Sequence, residues 1–211
     1  MKFYIRTTGE RKLDESYNQI EYTLLIDKNH EYIKFFIDKL EEVGNEDCVI
    51  IEDDCVLCEN FKSRIEDVIK QYPNKIINFF QLPSTKWFKT YESDSFLMNQ
   101  CTYYPRGLTV KLARTMREVY KDHKDLSTDQ VENLALKQMG ETHIKYRPCL
   151  VQHLNFHSLL NHVIECRRTP FFVDYLDKLG LDYNYLSSYD IKRLTIEMKY
   201  DIEHRRRKYY G

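Results

Sequence analysis

The chain has 211 residues, in which 32 lysines and arginines face 33 aspartates and glutamates, for a formal net charge of -1. This length fits one domain with a sizeable core, and the balanced charge excludes a whole-protein basic field for gripping nucleic acid. No stretch reaches the ~18 apolar residues of a membrane span, and the N-terminus lacks the apolar core of a signal peptide. We therefore expect a cytoplasmic protein whose six cysteines are reduced thiols.

Strand and helix patterns alternate through the first three quarters of the chain. We predict strands at 2–7, 21–26, 48–51, 76–81 and 96–104, a last strand pair over 142–151 that is interrupted at Pro148, helices beginning near residues 30, 60, 108 and 128, and a long loop at 82–95. This order predicts an α/β fold with a mostly parallel central sheet flanked by helices, of the Rossmann-like kind. Two further helical stripes predict a C-terminal helical tail. We divide the chain into a catalytic domain over 1–169 and a helical extension over 170–211 that packs on it.

The most informative stretch is a short apolar run that ends in three adjacent carboxylates, Glu52, Asp53 and Asp54. A buried strand of an α/β sheet delivers its last residues to the crevice outside the carboxyl ends of the strands, where ligands bind. Three neighbouring carboxylates repel one another, so a divalent metal carrying a phosphorylated ligand is the natural occupant. The alternative that these residues leave open is a solvated acidic turn.

A second metal hypothesis concerns Cys55 and Cys58, which have the spacing of a zinc-ligand pair. Cys149 and His153 would complete a set of four ligands. A single C-x-x-C without a matching second pair is weak support for zinc, so we expect thiols here.

The run from Val49 to Leu57 resembles the DxD-like metal-binding signature of GT-A-fold glycosyltransferases. Three later segments follow in the order of that family. Residues 100–116 are similar to the strand and helix that close the acceptor side, Ser127-Thr128-Asp129 to an acidic helix start, and 147–153 to a C-terminal "P-x-L-V-Q-H" segment. The sequence departs from the family in beginning the triplet with Glu52 and in lacking glycine-rich nucleotide loops.

The resemblance covers the chain up to about residue 170 and implies a metal-dependent glycosyltransferase that uses a nucleotide sugar, with a UDP-sugar as the expected donor. It implies Asp54 as a direct ligand of Mn²⁺ or Mg²⁺, Glu52 as a ligand directly or through water, and His153 as the last ligand. An ordinary hydrogen-bonded histidine is the other interpretation of His153. The expected donor contacts are Asp53 for the ribose or sugar hydroxyls, Arg6, Thr7, Thr8 and Asp27 at two strand ends, and Ser158 and Arg168 for the phosphates.

The same resemblance makes Asp129 the candidate general base, which would take the proton of the acceptor hydroxyl and give inversion. A carboxylate in the first turn of a helix also stabilises the helix dipole, and this ordinary role stays open. Beyond transfer of a sugar, the residues leave two alternatives, a nucleotidyltransferase and a catalytically silent α/β module that binds a nucleotide or a partner.

The chain closes on a basic cluster, Arg205-Arg206-Arg207-Lys208, followed by two tyrosines. Such a cluster could contact the phosphates of a nucleic acid, so a modified base in DNA is an alternative acceptor beside a glycan or a lipid-linked sugar. More commonly, cations near the C-terminus of a helix complement the helix dipole and stay solvated.

Overall fold

The computed structural model describes residues 1–82, 89–154 and 168–210. Residues 209 and 210 are described by their backbone alone. Its strands are β1 (Lys2–Thr7), β2 (Tyr22–Ile26), β3 (Cys48–Glu52), β4 (Cys55–Leu57), β5 (Ile76–Asn78), β6 (Tyr91–Ser93), β7 (Cys101–Tyr104), β8 (His143–Lys145) and β9 (Val151–His153). Its helices are α1 (Tyr32–Val43), α2 (Phe61–Gln71), α3 (Leu108–Asp122), α4 (Thr128–Met139), α5 (Val173–Leu179) and α6 (Ser188–Tyr210), with 3₁₀ turns at Glu15–Gln19 and Tyr183–Tyr185.

Seven strands form one sheet in the order β2-β1-β3-β7-β5-β8-β6. The strands β2, β1, β3, β5 and β8 point the same way, whereas β7 and β6 are antiparallel to their neighbours. The predicted α/β class with a mostly parallel sheet is therefore confirmed. The remaining strands, β4 and β9, pair with each other in a separate antiparallel ribbon.

Helices cover both faces of the sheet because each face of a parallel sheet is apolar. One core lies between the sheet and α1, α3 and α4. The other contains α2, the β4–β9 ribbon, α5 and α6. Leu194, Met198 and Ile202 place α6 in that second core, which explains why the C-terminal helices pack on the rest of the chain. The domain boundary at residue 169 stays a prediction. Within the described parts of the chain, no helix is both long and apolar enough to cross a bilayer.

Several predicted strand bounds were wrong. The strand expected at 76–81 stops at Asn78, because the Asn78 side chain accepts a hydrogen bond from the Phe80 amide at 3.0 Å and turns the chain. The strand expected at 96–104 begins only at Cys101, after a left-handed residue, Met98 (φ 71°). The prediction also missed β4, β6 and the 3₁₀ turn at Glu15–Gln19, each too short to show a period.

Candidate active site

The acidic triplet lies at the carboxyl edge of the sheet. Strand β3 ends at Glu52, beside Arg6 of β1, and Asp53 and Asp54 form the turn into β4. Strand β4 then pairs with β9 so that Cys55 lies opposite His153. A backbone hydrogen bond of 2.8 Å from Leu154 to the Asp54 carbonyl fixes the far end of this ribbon. Two strands that are about a hundred residues apart in sequence thus carry the triplet and His153 to one place.

Glu52, Asp54 and His153 converge at this edge. One ligand atom from each lies within 4.8 Å of the others, and no other such set of metal-ligating side chains occurs among the residues described. His153 Nε2 is 3.3 Å from Asp54 Oδ2. Burial alone would raise the pKa of Asp54, but the neighbouring imidazole and the Arg11 guanidinium outweigh it and hold that pKa well below its usual range. Asp54 is therefore charged at neutral pH, as a metal ligand must be.

These residues fit a divalent cation. Asp54 Oδ1 is buried and makes no hydrogen bond, so one oxygen of a charged carboxylate has no partner. An ion in contact with this oxygen would satisfy it, since buried charges are normally paired or coordinate metals. Two carboxylates and one imidazole suit Mn²⁺, which tolerates nitrogen ligands better than Mg²⁺ does.

Two arginines neutralise part of the triplet. Arg6 Nη2 donates to Glu52 Oε1. Burial lowers the pKa of Arg6, but the charge and hydrogen bond of Glu52, together with the charge of Glu132, outweigh burial and raise that pKa. Arg11 Nη1 donates to Asp53 Oδ1 at 3.1 Å and to Asp54 Oδ2 at 2.9 Å. Sequence analysis missed Arg11, because it lies in an irregular segment without a periodic pattern. The available signal was its position four residues after the end of β1.

The expected donor contacts surround the triplet at the ends of β1 and β2. Thr7 Oγ1 donates to Asp53 Oδ2, and the Asp27 amide donates to the Thr7 carbonyl at 2.8 Å. Burial and the charge of Asp54 raise the pKa of Asp53, against the hydrogen bonds from Thr7 and Arg11. Two polar atoms here, Thr8 Oγ1 and Asp27 Oδ2, are buried without a hydrogen-bond partner. Unsatisfied buried polar groups are costly, so their clustering at a crevice is what a ligand-binding site requires.

A network of buried polar side chains is hydrogen-bonded to Arg6. Arg6 Nη2 also donates to Asn99 Oδ1 at 3.3 Å, and Asn99 in turn donates to the fully buried Glu132 of α4 at 3.4 Å. The Tyr104 hydroxyl donates to the other Glu132 oxygen at 2.6 Å. Burial raises the pKa of Glu132 to about 7, against the effect of these hydrogen bonds. Sequence analysis missed Glu132, because a glutamate on an amphipathic helix ordinarily faces water.

Asp129 lies in the first turn of α4, half-buried, where Ser127 Oγ donates to its carboxylate. The predicted capping box of Ser127 and Gln130 is confirmed. Among the described residues, Asp129 has no hydrogen bond or ion pair with Glu52, Asp54 or His153, but its charge raises the pKa of Glu132. The start of α4 and the start of α1 together border a cleft of about 500 Å³, lined by residues 30–34, Tyr120, 125–128 and Gln130.

The remaining candidates lie at the margin of the site or outside it. Arg168 Nε is buried without a hydrogen bond, and the next residue, Thr169, is held by Gln152, the neighbour of His153. Ser158 lies outside the described residues. The cysteines at 48, 55, 58, 101 and 149 are buried free thiols. Cys55, Cys58 and Cys149 are not members of the metal-ligating group found in the described part of the chain.

The C-terminal basic cluster is largely paired. Arg205 bonds Asp14 and Asp201, Arg207 bonds Glu203, and Lys208 bonds Glu15. Three of the four cations therefore already have carboxylate partners on this chain.

An α/β sheet with helices on both faces and an acidic and histidine cluster at its carboxyl edge is typical of doubly wound folds, in which ligands bind at that edge. Comparison with protein families gives the particular family: residues 38–173 match the model described as "Glycosyltransferase family 25 (LPS biosynthesis protein)". This match covers more than half of the chain, and the protein belongs to glycosyltransferase family 25. A search of curated protein sequences found no match.

Two solved structures are weakly similar to this chain. The crystal structure of A197 from STIV is 12% identical with a TM-score of 0.42, covering 72% of this chain and 84% of that one. A putative glucose-1-phosphate thymidylyltransferase from Bacillus anthracis, in complex with a sucrose, is 12% identical with a TM-score of 0.41, covering 86% of this chain and 72% of that one.

Proposed function

We propose that this protein is a metal-dependent glycosyltransferase that moves a sugar from a nucleotide sugar, a UDP-sugar, to an acceptor hydroxyl with inversion. The convergence of Glu52, Asp54 and His153 within 4.8 Å carries this proposal, because it joins the acidic triplet to a histidine about a hundred residues away. The buried, unpaired Asp54 Oδ1 supports a cation as the missing partner. Membership of a glycosyltransferase family supports sugar transfer as the reaction.

Glu52, Asp54 and His153 would hold Mn²⁺, or less favourably Mg²⁺, and the bound ion supplies Lewis-acid stabilisation of the leaving diphosphate. Asp53 would orient the donor through its ribose or sugar hydroxyls. The unpaired Thr8 Oγ1 and Asp27 Oδ2 would bind polar atoms of the nucleotide. This edge is poor in water, since Asp27, Asp53, Asp54 and His153 are all buried, so each of these contacts is stronger than at the surface.

Asp129 would act as the general base. The acceptor oxygen attacks the anomeric carbon, its proton passes to the Asp129 carboxylate, and the bond from the anomeric carbon to the diphosphate breaks with inversion. The cleft between the starts of α1 and α4 would admit the acceptor, because Ser127, Thr128 and Gln130 on its wall flank Asp129. Its volume lies in the range of small-molecule sites.

Thermal-shift measurements test the proposal. The melting temperature of the protein should rise with UDP only when Mn²⁺ is present, and other nucleoside diphosphates should have less effect. Asp129→Asn should keep this shift yet lose transfer, because the base does not hold the donor. A protein that no nucleotide stabilises, with or without Mn²⁺, would refute donor binding, and an Asp129→Asn variant with wild-type transfer would refute the base.

A further inference from the structure

Arg11 is a cation of the site to which the proposed mechanism assigns no role. Its Nη1 atom bridges two carboxylates, 3.1 Å from Asp53 Oδ1 and 2.9 Å from Asp54 Oδ2. The three side chains are 12%, 6% and 10% exposed. The bridge is therefore largely shielded from bulk water, and charges act on one another more strongly there than at the surface.

The position of Arg11 conflicts with that of a bound metal ion. Asp54 Oδ2, which accepts from Arg11, is also the oxygen that faces His153 Nε2 at 3.3 Å. A divalent cation that contacts Asp54 Oδ1 and His153 would share the Asp54 carboxylate with the guanidinium, and like charges at such separations repel. Arg11 and a divalent cation thus compete for one carboxylate.

The backbone holds Arg11 at this place from both sides. Gly9 takes a positive φ of 83° to turn the chain out of β1, and its amide donates to Thr7 Oγ1 at 2.9 Å. On the other side, Asp14 has a fully buried carboxylate that is bonded to Arg205 of α6. A displaced Arg11 side chain would therefore stay near the triplet, since the backbone on both sides of it is held.

The charges at this edge of the sheet provide the displaced arginine with a partner. With Arg6 bonded to Glu52, the charges of Asp53 and Asp54 remain, and a divalent cation neutralises both. The donor diphosphate then brings further negative charge to the same edge. A guanidinium fits phosphate oxygens in a bidentate manner, which makes Arg11 a suitable donor to them.

We propose that Arg11 is an exchangeable counter-ion, which neutralises Asp53 and Asp54 until a divalent cation displaces it and then binds the diphosphate of the donor. The second half of this proposal rests on the proposed function. The first half concerns the metal ion alone and can be measured without a nucleotide or an acceptor.

The test is a pair of affinities measured on Arg11→Ala. The Kd for Mn²⁺ without nucleotide, from the electron paramagnetic resonance of free Mn²⁺, should fall about tenfold because a competing cation is gone. The Kd for UDP at saturating Mn²⁺, from calorimetry, should rise about tenfold because a charge-assisted donor is gone. A general loss of structure would weaken the binding of both Mn²⁺ and UDP, so tighter Mn²⁺ binding together with weaker UDP binding in one variant is not expected from it.

Two further variants sharpen the result. Arg11→Lys keeps the charge but loses the planar fork, so its Mn²⁺ affinity should stay near wild type while UDP binds less tightly. Arg117→Ala is the matched control, because Arg117 also bridges two carboxylates, Asp38 and Glu41, but on the surface. It should change neither affinity. If Arg11→Ala does not fold, Arg11→Gln replaces it.

Each outcome decides one part. An Arg11→Ala protein with unchanged or weaker Mn²⁺ binding overturns the counter-ion role, and unchanged UDP binding overturns the diphosphate role. A wild-type protein that binds Mn²⁺ but no UDP refutes the proposed transferase while the Mn²⁺ comparison still decides the counter-ion role. A wild-type protein that binds no Mn²⁺ overturns both proposals.

Discussion

Two clusters of like charge stand out in the sequence, and the fold treats them differently. The acidic triplet ends a central strand, where Asp53 and Asp54 are buried. The basic cluster at 205–208 lies on the last turns of α6, where Arg207 and Glu203 pair with 78% and 58% of their side chains exposed. Solvent and nearby carboxylates reduce the repulsion among the cations of the basic cluster. The triplet draws in Arg6, Arg11 and a histidine and still leaves one Asp54 oxygen unpaired.

This difference teaches that burial, rather than charge density, distinguishes a binding cluster from a solvated one. Arg205 is the informative exception, because it belongs to the basic cluster yet bonds the fully buried carboxylate of Asp14. We expect replacement of Arg205 to lower stability as replacement of a core residue does. Replacement of its neighbours should have the small effect of a surface change.

Replacing Asp54 by Asn should weaken Mn²⁺ binding by at least about 100-fold, because a direct ligand matters more than the outer contacts whose loss costs 10- to 100-fold. The measurement is the Kd for Mn²⁺ without nucleotide. Asp38→Asn is the control, since Asp38 pairs with a surface arginine. If the two variants bind Mn²⁺ alike, the triplet is only another charged turn and the contrast between the clusters fails.

Replacing Arg205 by Ala should lower the free energy of unfolding by about 3 kcal/mol, because it leaves the buried Asp14 carboxylate without its cation. Urea denaturation at pH 7 measures this loss. Tyr175→Phe is a milder probe of the same region, since its hydroxyl donates to Asp201, the second partner of Arg205. A loss below about 0.5 kcal/mol for Arg205→Ala would show that this pair behaves as an exposed one.

Replacing Glu132 by Gln tests the network beneath Arg6. Burial raises the pKa of Glu132 from 4.5 to about 7, so between these values the folded protein binds more protons than the unfolded chain. Its contribution to stability is therefore present at low pH and is lost as the pH rises through about 7. From pH 5 to pH 8 the wild type should lose about 2 kcal/mol relative to Glu132→Gln.

Urea denaturation of both proteins at pH 5 and pH 8 checks this difference. Asp174 has a pKa raised by burial to about 6 and contributes a similar trend, but it is common to both proteins and cancels. If the free energy of unfolding changes equally between pH 5 and pH 8 in the wild type and in Glu132→Gln, Glu132 is not a buried acid with a raised pKa.

The fold class and the members of the acidic cluster could be predicted from the sequence, because a buried strand and adjacent carboxylates are local patterns. The position of His153 beside the acidic triplet was predicted from the family resemblance alone. Its physical cause, the β4–β9 ribbon, has strands of three residues, too short for a period of two to be visible. Arg11 and Glu132 could not be predicted, since the bridge of one and the burial of the other depend on residues 28 or more positions away.

The smallest effect is expected from the exposed part of the basic cluster. The double variant Arg207→Ala/Lys208→Ala should change the free energy of unfolding by less than about 0.5 kcal/mol, because exposed ion pairs contribute little. Its affinity for a single-stranded DNA oligonucleotide at 50 mM salt should equal that of the wild type, because the carboxylates of Glu203 and Glu15 already compensate both cations. The comparison of affinities at two salt concentrations supplies the check, since each lost phosphate contact lowers the salt slope by about 0.7. A weaker, less salt-dependent complex in the double variant would make this cluster a nucleic-acid surface, and exposure would then no longer separate the two clusters.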